Sequence, residues 1–322
     1  MIVVWQVTEH CNLSCPFCRY DRRLPFTRYE ANPDDVRRIG RLLAEFRALR
    51  GERVLLSFLG GEPLLWPPLL SLATELRGYG LDLSLTSNGS ALRNERVRTS
   101  LLKDFAELTL SIDGFAPLHE KLRGCPGGWE QLKTMTQELN CARRASGSPL
   151  LLRANIVLMR DNVTEFSDLC HELARWGFDE ISFNQLGGRD RPEFFPTQRL
   201  LPEQVQALRA ILPALRTTLA DMKVRLLGNT AYLERFDASS RSLQLPIVDC
   251  KPGESFLFVD EQRRIAPCSF TGTELGLSLD DIRTLTDLLA LPAQFRAQRR
   301  IQQPVACNDC PSTRVFAKFG VQ

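Results

Sequence analysis

The sequence predicts an α/β fold in which parallel strands form a partial, open barrel. Three observations support this fold class. Short apolar runs alternate with helix-length amphipathic segments, as in βα units that build a parallel sheet. Six such units precede residue 225, whereas a closed barrel of this kind has eight. The pattern then changes, which predicts a different C-terminal region.

The six predicted units follow one another without a low-complexity linker. The first helix has a capping residue, Asn32, directly before Pro33, and proline is favoured in the first turn of a helix. The predicted strands cover residues 3–7, 54–59, 81–86, 108–112, 150–158 and 181–183. The predicted helices cover residues 33–49, a segment to about 76, a stretch to about 105, and residues 129–145, 166–176 and 202–219.

The C-terminal region has a hairpin-like pattern. Residues 254–260 alternate between apolar and polar, residues 261–264 are typical of a turn, and residues 265–268 return as a second strand. A helix is predicted over residues 282–299, followed by two more cysteines. We therefore expect two domains, residues 1–225 and residues 226–322.

Composition excludes several classes of protein. The 322 residues carry a net charge of +3 and are 43% hydrophobic, which does not predict binding to nucleic acid or to a membrane surface. No apolar run approaches the ~18 residues of a transmembrane helix, and the N-terminus is typical of a strand and not of a signal peptide. We therefore expect a cytoplasmic protein, whose ten cysteines are not disulfides because the cytosol keeps thiols reduced.

Three cysteines lie close together where the first βα loop is expected. Cys11, Cys15 and Cys18 have the spacing C-x3-C-x2-C, and ligands bind at this end of a parallel sheet. A structural zinc site needs four ligands, whereas a cubane 4Fe-4S cluster held by three thiolates keeps one iron open to a small chelating molecule. A zinc site completed by His10 or by a distant cysteine is the alternative.

This cysteine motif, with the aromatic Phe17 before its third cysteine, resembles that of the radical SAM superfamily. The resemblance implies that Cys11, Cys15 and Cys18 hold a 4Fe-4S cluster and that Phe17 packs near the adenine of S-adenosylmethionine (SAM). The motif Gly60-Gly61-Glu62-Pro63 is similar to the one that binds the methionine ammonium of SAM in this family.

Three further elements resemble family motifs in the same order along the chain. Ser87-Asn88-Gly89 follows the third predicted strand, and Ser111-Ile112-Asp113-Gly114 follows the fourth. The resemblance implies that Ser87, Asn88, Ser111 and Asp113 contact SAM. It also implies that Arg123 pairs with the SAM carboxylate, and a guanidinium holds a carboxylate with two parallel hydrogen bonds.

A second set of cysteines lies in the C-terminal region: Cys250, Cys268, Cys307 and Cys310. Their spacing alone fits either zinc or an iron–sulfur cluster. The segment from Cys250 to Cys268 resembles the start of the SPASM/Twitch extension of radical SAM enzymes. Because the shorter Twitch pattern holds a single cluster, the resemblance implies one auxiliary 4Fe-4S cluster with four cysteine ligands, and therefore a Twitch-type hairpin-plus-helix domain behind the partial (β/α)6 barrel.

The resemblance implies an enzyme that reductively cleaves SAM to a 5′-deoxyadenosyl radical, which abstracts a hydrogen from the substrate. We expect a small natural-product-type substrate that is oxidised or rearranged with help from the auxiliary cluster, and an external electron donor of the flavodoxin or ferredoxin type. One alternative is a maturase that crosslinks or epimerises a ribosomally made peptide. Such maturases often carry an N-terminal peptide-recognition domain, which is not expected here because the core is predicted to begin at residue 2; a separate recognition protein could supply that role. Another is a non-enzymatic zinc-binding module.

Some residues near the expected site have no family counterpart. Cys125 lies in a Gly- and Pro-rich loop close to Arg123, where a thiol can donate a hydrogen atom to a substrate radical; a loop cysteine without a role is the alternative. The candidates for substrate contact at later strand ends, each with a structural role as the alternative, are Asn155, Asn184, Gln185 and Arg189.

Overall fold

The computed structural model describes residues 1–316, 318 and 319, and its centre is one ten-stranded sheet. The first six strands pair in sequence and in parallel, which confirms the predicted open α/β barrel. The strands are β1 (Ile2–Thr8), β2 (Leu55–Gly60), β3 (Asp82–Ser87), β4 (Glu107–Ser111), β5 (Leu151–Leu158), β6 (Glu180–Gln185), β7 (Arg225–Leu226), β8 (Phe256–Val259), β9 (Arg264–Ala266) and β10 (Leu277–Ser278).

Helices cover the outer face of this sheet. The first begins as predicted, because the side chain of Asn32 accepts a hydrogen bond of 2.9 Å from the backbone N–H of Asp34. The helices are α1 (Pro33–Arg50), α2 (Leu69–Gly78), α3 (Glu95–Asp104), α4 (Ala116–Arg123), α5 (Gly128–Ser146), α6 (Phe166–Trp176), α7 (Phe195–Gln198), α8 (Pro202–Asp221), α9 (Thr230–Ser240), α10 (Gly272–Leu275) and α11 (Leu285–Ile301).

The alternation along β5 shows how the barrel is built. Leu152, Ala154, Ile156 and Leu158 are buried in the main core, whereas the intervening side chains are only partly buried. On this second face Arg153 pairs with Glu180 of β6, while Ser182 of the same strand donates to the side chain of Asn155. The inner face of the barrel is therefore polar at this edge, and the outer face forms the hydrophobic core with the helices.

The predicted C-terminal hairpin is confirmed as the antiparallel pair β8–β9. It does not form a sheet of its own, however, because β8 pairs in parallel with β1 over four residues. Arg263, in the hairpin turn, also forms an ion pair of 2.7 Å with Asp35 of α1. The two predicted domains thus share one sheet, and the boundary at residue 225 stays a prediction.

Several elements differ from the sequence prediction. The last long helix begins at Leu285 instead of residue 282, because the side chain of Thr284 caps it by accepting from the backbone N–H of Asp287. Strand β7 and helices α4 and α9 were not predicted, and β7 has only two residues, too few for a periodic pattern. Within residues 1–316, 318 and 319, no helix is long and apolar enough to cross a membrane.

Candidate active site

The three N-terminal cysteines lie in the loop between β1 and α1. Cys15 is buried and its two companions are partly buried. Burial raises the pKa of Cys15 to about 12 and also raises the pKa of Cys11 and of Cys18. All three thiols are free and close enough to affect one another's charge. A buried group of thiols becomes three thiolates only where a cation compensates them, as a metal cluster does.

Arg123, the last residue of helix α4, contacts this cysteine loop. The Arg123 guanidinium lies 5.7 Å from the centroid of the Phe17 ring, and the ring of Phe17 in turn lies 6.1 Å from that of Phe194. The backbone carbonyl of Arg123 accepts a bond of 3.2 Å from the N–H of Ser14 in the cysteine loop. Arg123 and Phe17, predicted from separate motifs, therefore lie side by side next to the cysteines.

The guanidinium of Arg123 has an ion-pair partner for one nitrogen, while another buried nitrogen has no hydrogen-bond partner among the described residues. Its Nη2 forms an ion pair of 2.6 Å with Asp113, a pair in which the carboxylate is fully buried and the Arg123 side chain is 10% exposed. Its Nε is buried and has no hydrogen-bond partner among the described residues. Because unsatisfied buried donors are rare, this N–H fits an anionic group beside the cysteine loop, as the predicted SAM carboxylate would be.

Asp113 also connects the end of β4 to the end of β5 and to helix α4. Its carboxylate accepts a bond of 2.8 Å from the backbone N–H of Val157, and its carbonyl accepts one of 2.7 Å from Asn162. Its N–H donates to Nδ1 of His119 at 3.3 Å, and burial, together with Arg123, lowers the pKa of His119 to about 3. His119 is therefore neutral, and Asp113 positions Arg123; a direct contact between Asp113 and SAM stays a prediction.

Glu62 of the Gly-Gly-Glu-Pro motif is fully buried, and its carboxylate has three donors within the protein. The side chain of Ser87 donates at 2.9 Å, the backbone N–H of Asn88 at 2.7 Å and that of Leu64 at 3.1 Å. Burial raises the pKa of Glu62, while the bonds from Asn88 and Leu64 oppose the rise. In this structure Glu62 therefore holds the ends of β2 and β3 together, and the predicted contact with the ammonium of SAM remains untested.

The two glycines of the same motif are required by a close approach of the chain. A Cβ on Gly60 would stand 2.4 Å from the carbonyl oxygen of Thr8, and one on Gly61 would stand 2.3 Å from that of His10. These backbones are also hydrogen-bonded, from Gly61 N–H to Thr8 O at 2.7 Å and from Glu62 N–H to His10 O at 2.8 Å. The motif, which ends at Pro63, thus fixes the start of the cysteine loop against β2.

Asn88 joins the third strand to the cysteine loop. Its Nδ2 donates to the side-chain oxygen of Asn12 at 2.9 Å and lies 4.0 Å from the sulfur of Cys11. Ser111, at the end of β4, is partly buried and pairs in register with Asn155 of β5. The residues that the sequence assigned to SAM binding are thereby gathered at one end of the sheet, around the cysteines.

Cys125 follows α4 directly and is partly buried, and burial raises its pKa. The loop folds tightly, since a Cβ on Gly128 would stand 2.7 Å from the Cys125 sulfur. Because Arg123 bonds to the cysteine loop, Cys125 lies close to the expected SAM site. Its role as a hydrogen-atom donor stays a prediction.

The four C-terminal cysteines, Cys250, Cys268, Cys307 and Cys310, line one pocket, together with Arg299 and Arg314. Burial raises the pKa of Cys310 to about 11. Arg299 Nη1 donates to the sulfur of Cys250 at 3.7 Å, and the sulfur of Cys268 lies 3.3 Å from the hydroxyl of Thr271. The structure thus brings together two cysteines that precede α11 in the sequence and two that follow it.

Neither cysteine set is arranged as a single-ion site. Across residues 1–316, 318 and 319, no three His, Cys, Asp or Glu side chains converge closely enough to hold one metal ion. A zinc ion draws its ligand sulfurs to about 2.3 Å from one point, whereas a cubane spreads its thiolates around four irons. What each cysteine set holds stays a prediction at this point.

Sequence reasoning missed two groups on the inner side of the barrel. Glu261, expected in a turn, is buried, accepts a hydrogen bond from Gln6, and has its pKa raised to about 7 by burial and by Glu9. Lys318 bonds to Asn155 and Asn184. No motif marks either residue, since a lone glutamate in a turn and a lone lysine near the C-terminus are ordinary surface residues.

The four candidates for substrate contact separate into two groups. Asn155 and Asn184 are neighbours, with Nδ2 of Asn184 donating to Oδ1 of Asn155 at 3.3 Å. Gln185 instead lies beside Arg235, and Arg189 donates to the carbonyl of Phe270 at 3.2 Å. Only the two asparagines meet inside the barrel.

The model of the Radical SAM superfamily matches residues 5–173, about half of the chain. The chain belongs to the radical SAM superfamily. This membership makes it an enzyme and contradicts the alternative of a non-enzymatic zinc module. SAM and a 4Fe-4S cluster are the cofactors of the superfamily, and the three free cysteines beside the unpartnered Nε of Arg123 fit both.

Related proteins cover most of the chain. An AdoMet-dependent heme synthase of Methanosarcina barkeri is 24% identical over 276 residues, covering 84% of this chain and 76% of its own. A PqqA peptide cyclase of Ruegeria pomeroyi is 26% identical over 326 residues, covering 98% of this chain and 80% of its own.

Solved structures confirm the fold. Streptococcus suis SuiB bound to its precursor peptide SuiA aligns with a TM-score of 0.69 at 16% identity, over 99% of this chain and 71% of that one. Native anSMEcpe with bound AdoMet aligns with a TM-score of 0.68 at 14% identity, over 96% of this chain and 88% of that one. The alignments extend past residue 225, so the C-terminal region belongs to the shared architecture.

Proposed function

We propose that this radical SAM enzyme modifies a peptide, using one SAM-binding cluster and one auxiliary cluster. The observation that carries the proposal is the match to PqqA peptide cyclases over 97–98% of the chain, a span that includes both cysteine sets. The SuiB–SuiA fold, aligned over 99% of the chain, gives further support. The expected small natural-product-type substrate becomes the second candidate, which the heme synthase relatives favour.

The residues at the barrel mouth support the following assignments. Cys11, Cys15 and Cys18 would hold the first cluster, and Nε of Arg123 would donate to the SAM carboxylate. Phe17, already packed on the guanidinium of Arg123, would contact the adenine. When bound, the cluster and SAM supply a 5′-deoxyadenosyl radical that removes a hydrogen atom from the substrate. The part of the protein is to hold one C–H bond within reach of it and away from water.

The C-terminal pocket supports an auxiliary 4Fe-4S cluster held by Cys250, Cys268, Cys307 and Cys310. Four cysteines line it, and Arg299 places a positive charge against them. Hydrogen bonds and charges next to the sulfurs set the potential of such a cluster. A fully ligated cluster at this position suits the acceptance of one electron from the substrate side, and an external one-electron donor would reduce the first cluster.

The test uses the full chain, reconstituted anaerobically with iron and sulfide. With SAM and dithionite, the enzyme is expected to release 5′-deoxyadenosine. Synthetic peptides translated from short reading frames beside its gene are then added and analysed by mass spectrometry. Loss of two hydrogen atoms indicates a crosslink, and deuterium uptake from D₂O without other mass change indicates epimerisation. Release of 5′-deoxyadenosine with every peptide unchanged would favour the small-molecule candidate, and no release at all would overturn the proposal.

A further inference from the structure

The end of the described chain returns to the inside of the barrel. The ammonium of Lys318 donates to Oδ1 of Asn155 at 3.0 Å and to Oδ1 of Asn184 at 2.7 Å. The residue is 5% exposed, so this contact is buried. Tyr232 also bonds to Asn184, at 3.2 Å. A cation on the last segment is thereby fixed against two neighbouring barrel strands, β5 and β6.

This ammonium has no negative partner in the described chain. Arg153, whose charge acts on Lys318, pairs with Glu107 at 3.2 Å and with Glu180 at 2.6 Å, and Glu180 also pairs with Arg225. The two atoms that accept from Lys318 are neutral amide oxygens. Burial, with Arg153 adding to it, lowers the pKa of Lys318 to about 7. An uncompensated buried cation is costly, and an anion that fills this position removes the cost.

The strand register places the Lys318 ammonium near residues predicted to contact SAM. Asn155 is the register partner of Ser111 on β4, and Ser111 is one of the predicted SAM contacts. Asn184 is the register partner of Val157, whose N–H binds Asp113, the positioning residue for Arg123. Lys318 therefore lies next to the strands that carry predicted SAM contacts, on the polar inner face, where the proposed function places the substrate.

We propose that Lys318, oriented by Asn155 and Asn184, binds a carboxylate group of the substrate. This inference rests on the proposed function, because it assumes that the barrel receives the substrate. A single ammonium, without an arginine fork or a helix N-terminus aimed at the same point, matches a single negative charge better than a phosphate. In a peptide the carboxylate is an acidic side chain or the C-terminus, and in a small molecule it is any carboxylic acid.

The test measures binding to the reconstituted enzyme saturated with SAM, so that the SAM-carboxylate site is filled. The probes are N-acetylglutamate α-amide for a side chain, N-acetylalanine for a C-terminus, succinate for a small acid, N-acetylglutamine α-amide as the neutral control and inorganic phosphate. Isothermal titration compares the wild type with Lys318→Met and Lys318→Arg. Lys103→Met, which changes an exposed lysine of α3, is the matched control.

The wild type and Lys103→Met are expected to bind at least one carboxylate probe saturably. Lys318→Met is expected to bind it roughly ten-fold more weakly or worse, since a charge-assisted hydrogen bond is lost, and Lys318→Arg is expected to restore part of the affinity. The probe that binds tightest identifies the source of the carboxylate. Equal affinity of Lys318→Met, no saturable carboxylate binding by the wild type, or tighter binding of phosphate than of every carboxylate would overturn the inference.

A second variant keeps the test decisive if Lys318→Met does not fold. Asn184→Asp preserves the shape of the side chain and places a negative charge beside the intact lysine, so carboxylate binding is expected to fall as it does in Lys318→Met; unchanged binding contradicts the inference.

Release of 5′-deoxyadenosine by the wild type, measured without probes, separates the two proposals. If release is absent, the proposed function fails, whereas if release is normal and the carboxylate results are negative, only the lysine site fails.

Discussion

The buried ion pair between Asp113 and Arg123 gives the most direct test of how this site is built. Asp113→Asn keeps the shape of the side chain, and the amide oxygen still accepts from the N–H of Val157, which lies 2.8 Å away in the wild type. It removes the charge from a pair of 2.6 Å whose members are 0% and 10% exposed. Breaking such a pair leaves an uncompensated buried cation, which costs about 3–5 kcal/mol. For a chain of 322 residues that corresponds to a fall in Tm of about 4–7 °C.

The assay is thermal unfolding of the reconstituted protein, followed by circular dichroism. Glu254→Gln is the matched control, because it makes the same chemical change in a pair that is 42% and 44% exposed, and exposed pairs contribute about 0–1 kcal/mol. Asp113→Asn is also expected to leave the charge of Arg123 available to SAM, whereas Arg123→Met is expected to weaken SAM binding roughly ten-fold or more. A Tm of Asp113→Asn within a degree or so of the control would refute the reasoning.

Three more predictions follow from the contacts above. Gly61→Ala is expected to lower the iron content, because its Cβ would stand 2.3 Å from a carbonyl oxygen of the cysteine loop, whereas Gly78→Ala meets nothing within 4 Å and is the control; equal iron content contradicts this. Cys268→Ser is expected to reduce iron from about eight to about four atoms per chain, while serine at the exposed Cys141 leaves it unchanged. The difference in Tm between the wild type and Lys318→Met is expected to change in favour of the wild type as the pH rises from about 7 towards 10.5. The reason is that the Lys318 ammonium loses its proton at lower pH in the folded chain than in the unfolded chain. If the Tm values of the two proteins change with pH in parallel, the lysine is not buried in solution.

The barrel could be predicted because each of its strands and long helices is marked by a pattern within one short, continuous stretch of sequence. Each strand is a short apolar run between turn residues, and each long helix has a regular apolar face, so the first six strands were placed to within a few residues. The two-residue strand β7 has no period to detect. The pairing of β8 with β1 joins segments about 250 residues apart, and a strand pattern does not specify its partner.

The site was predictable where chemistry depends on spacing. The cysteines and the glycine motif are close in sequence, and the structure gathers the residues that were matched to them at one end of the sheet. The contacts of Glu62 were not predictable, because the same carboxylate is available to a ligand or to neighbouring backbone N–H groups until the strand ends are placed. Lys318 was missed because its burial is set entirely by where the last segment returns.

The pairing of β8 with β1 has a consequence for dividing this protein. In the intact chain β1 is an interior strand, with β2 on one side and β8 on the other. A fragment that stops at residue 225 would turn it into an edge strand with bare amide and carbonyl groups, which invites strand exchange and aggregation. The cysteine loop directly follows that strand. The N-terminal region that carries the SAM motif therefore depends on the C-terminal region to keep this loop in a defined position.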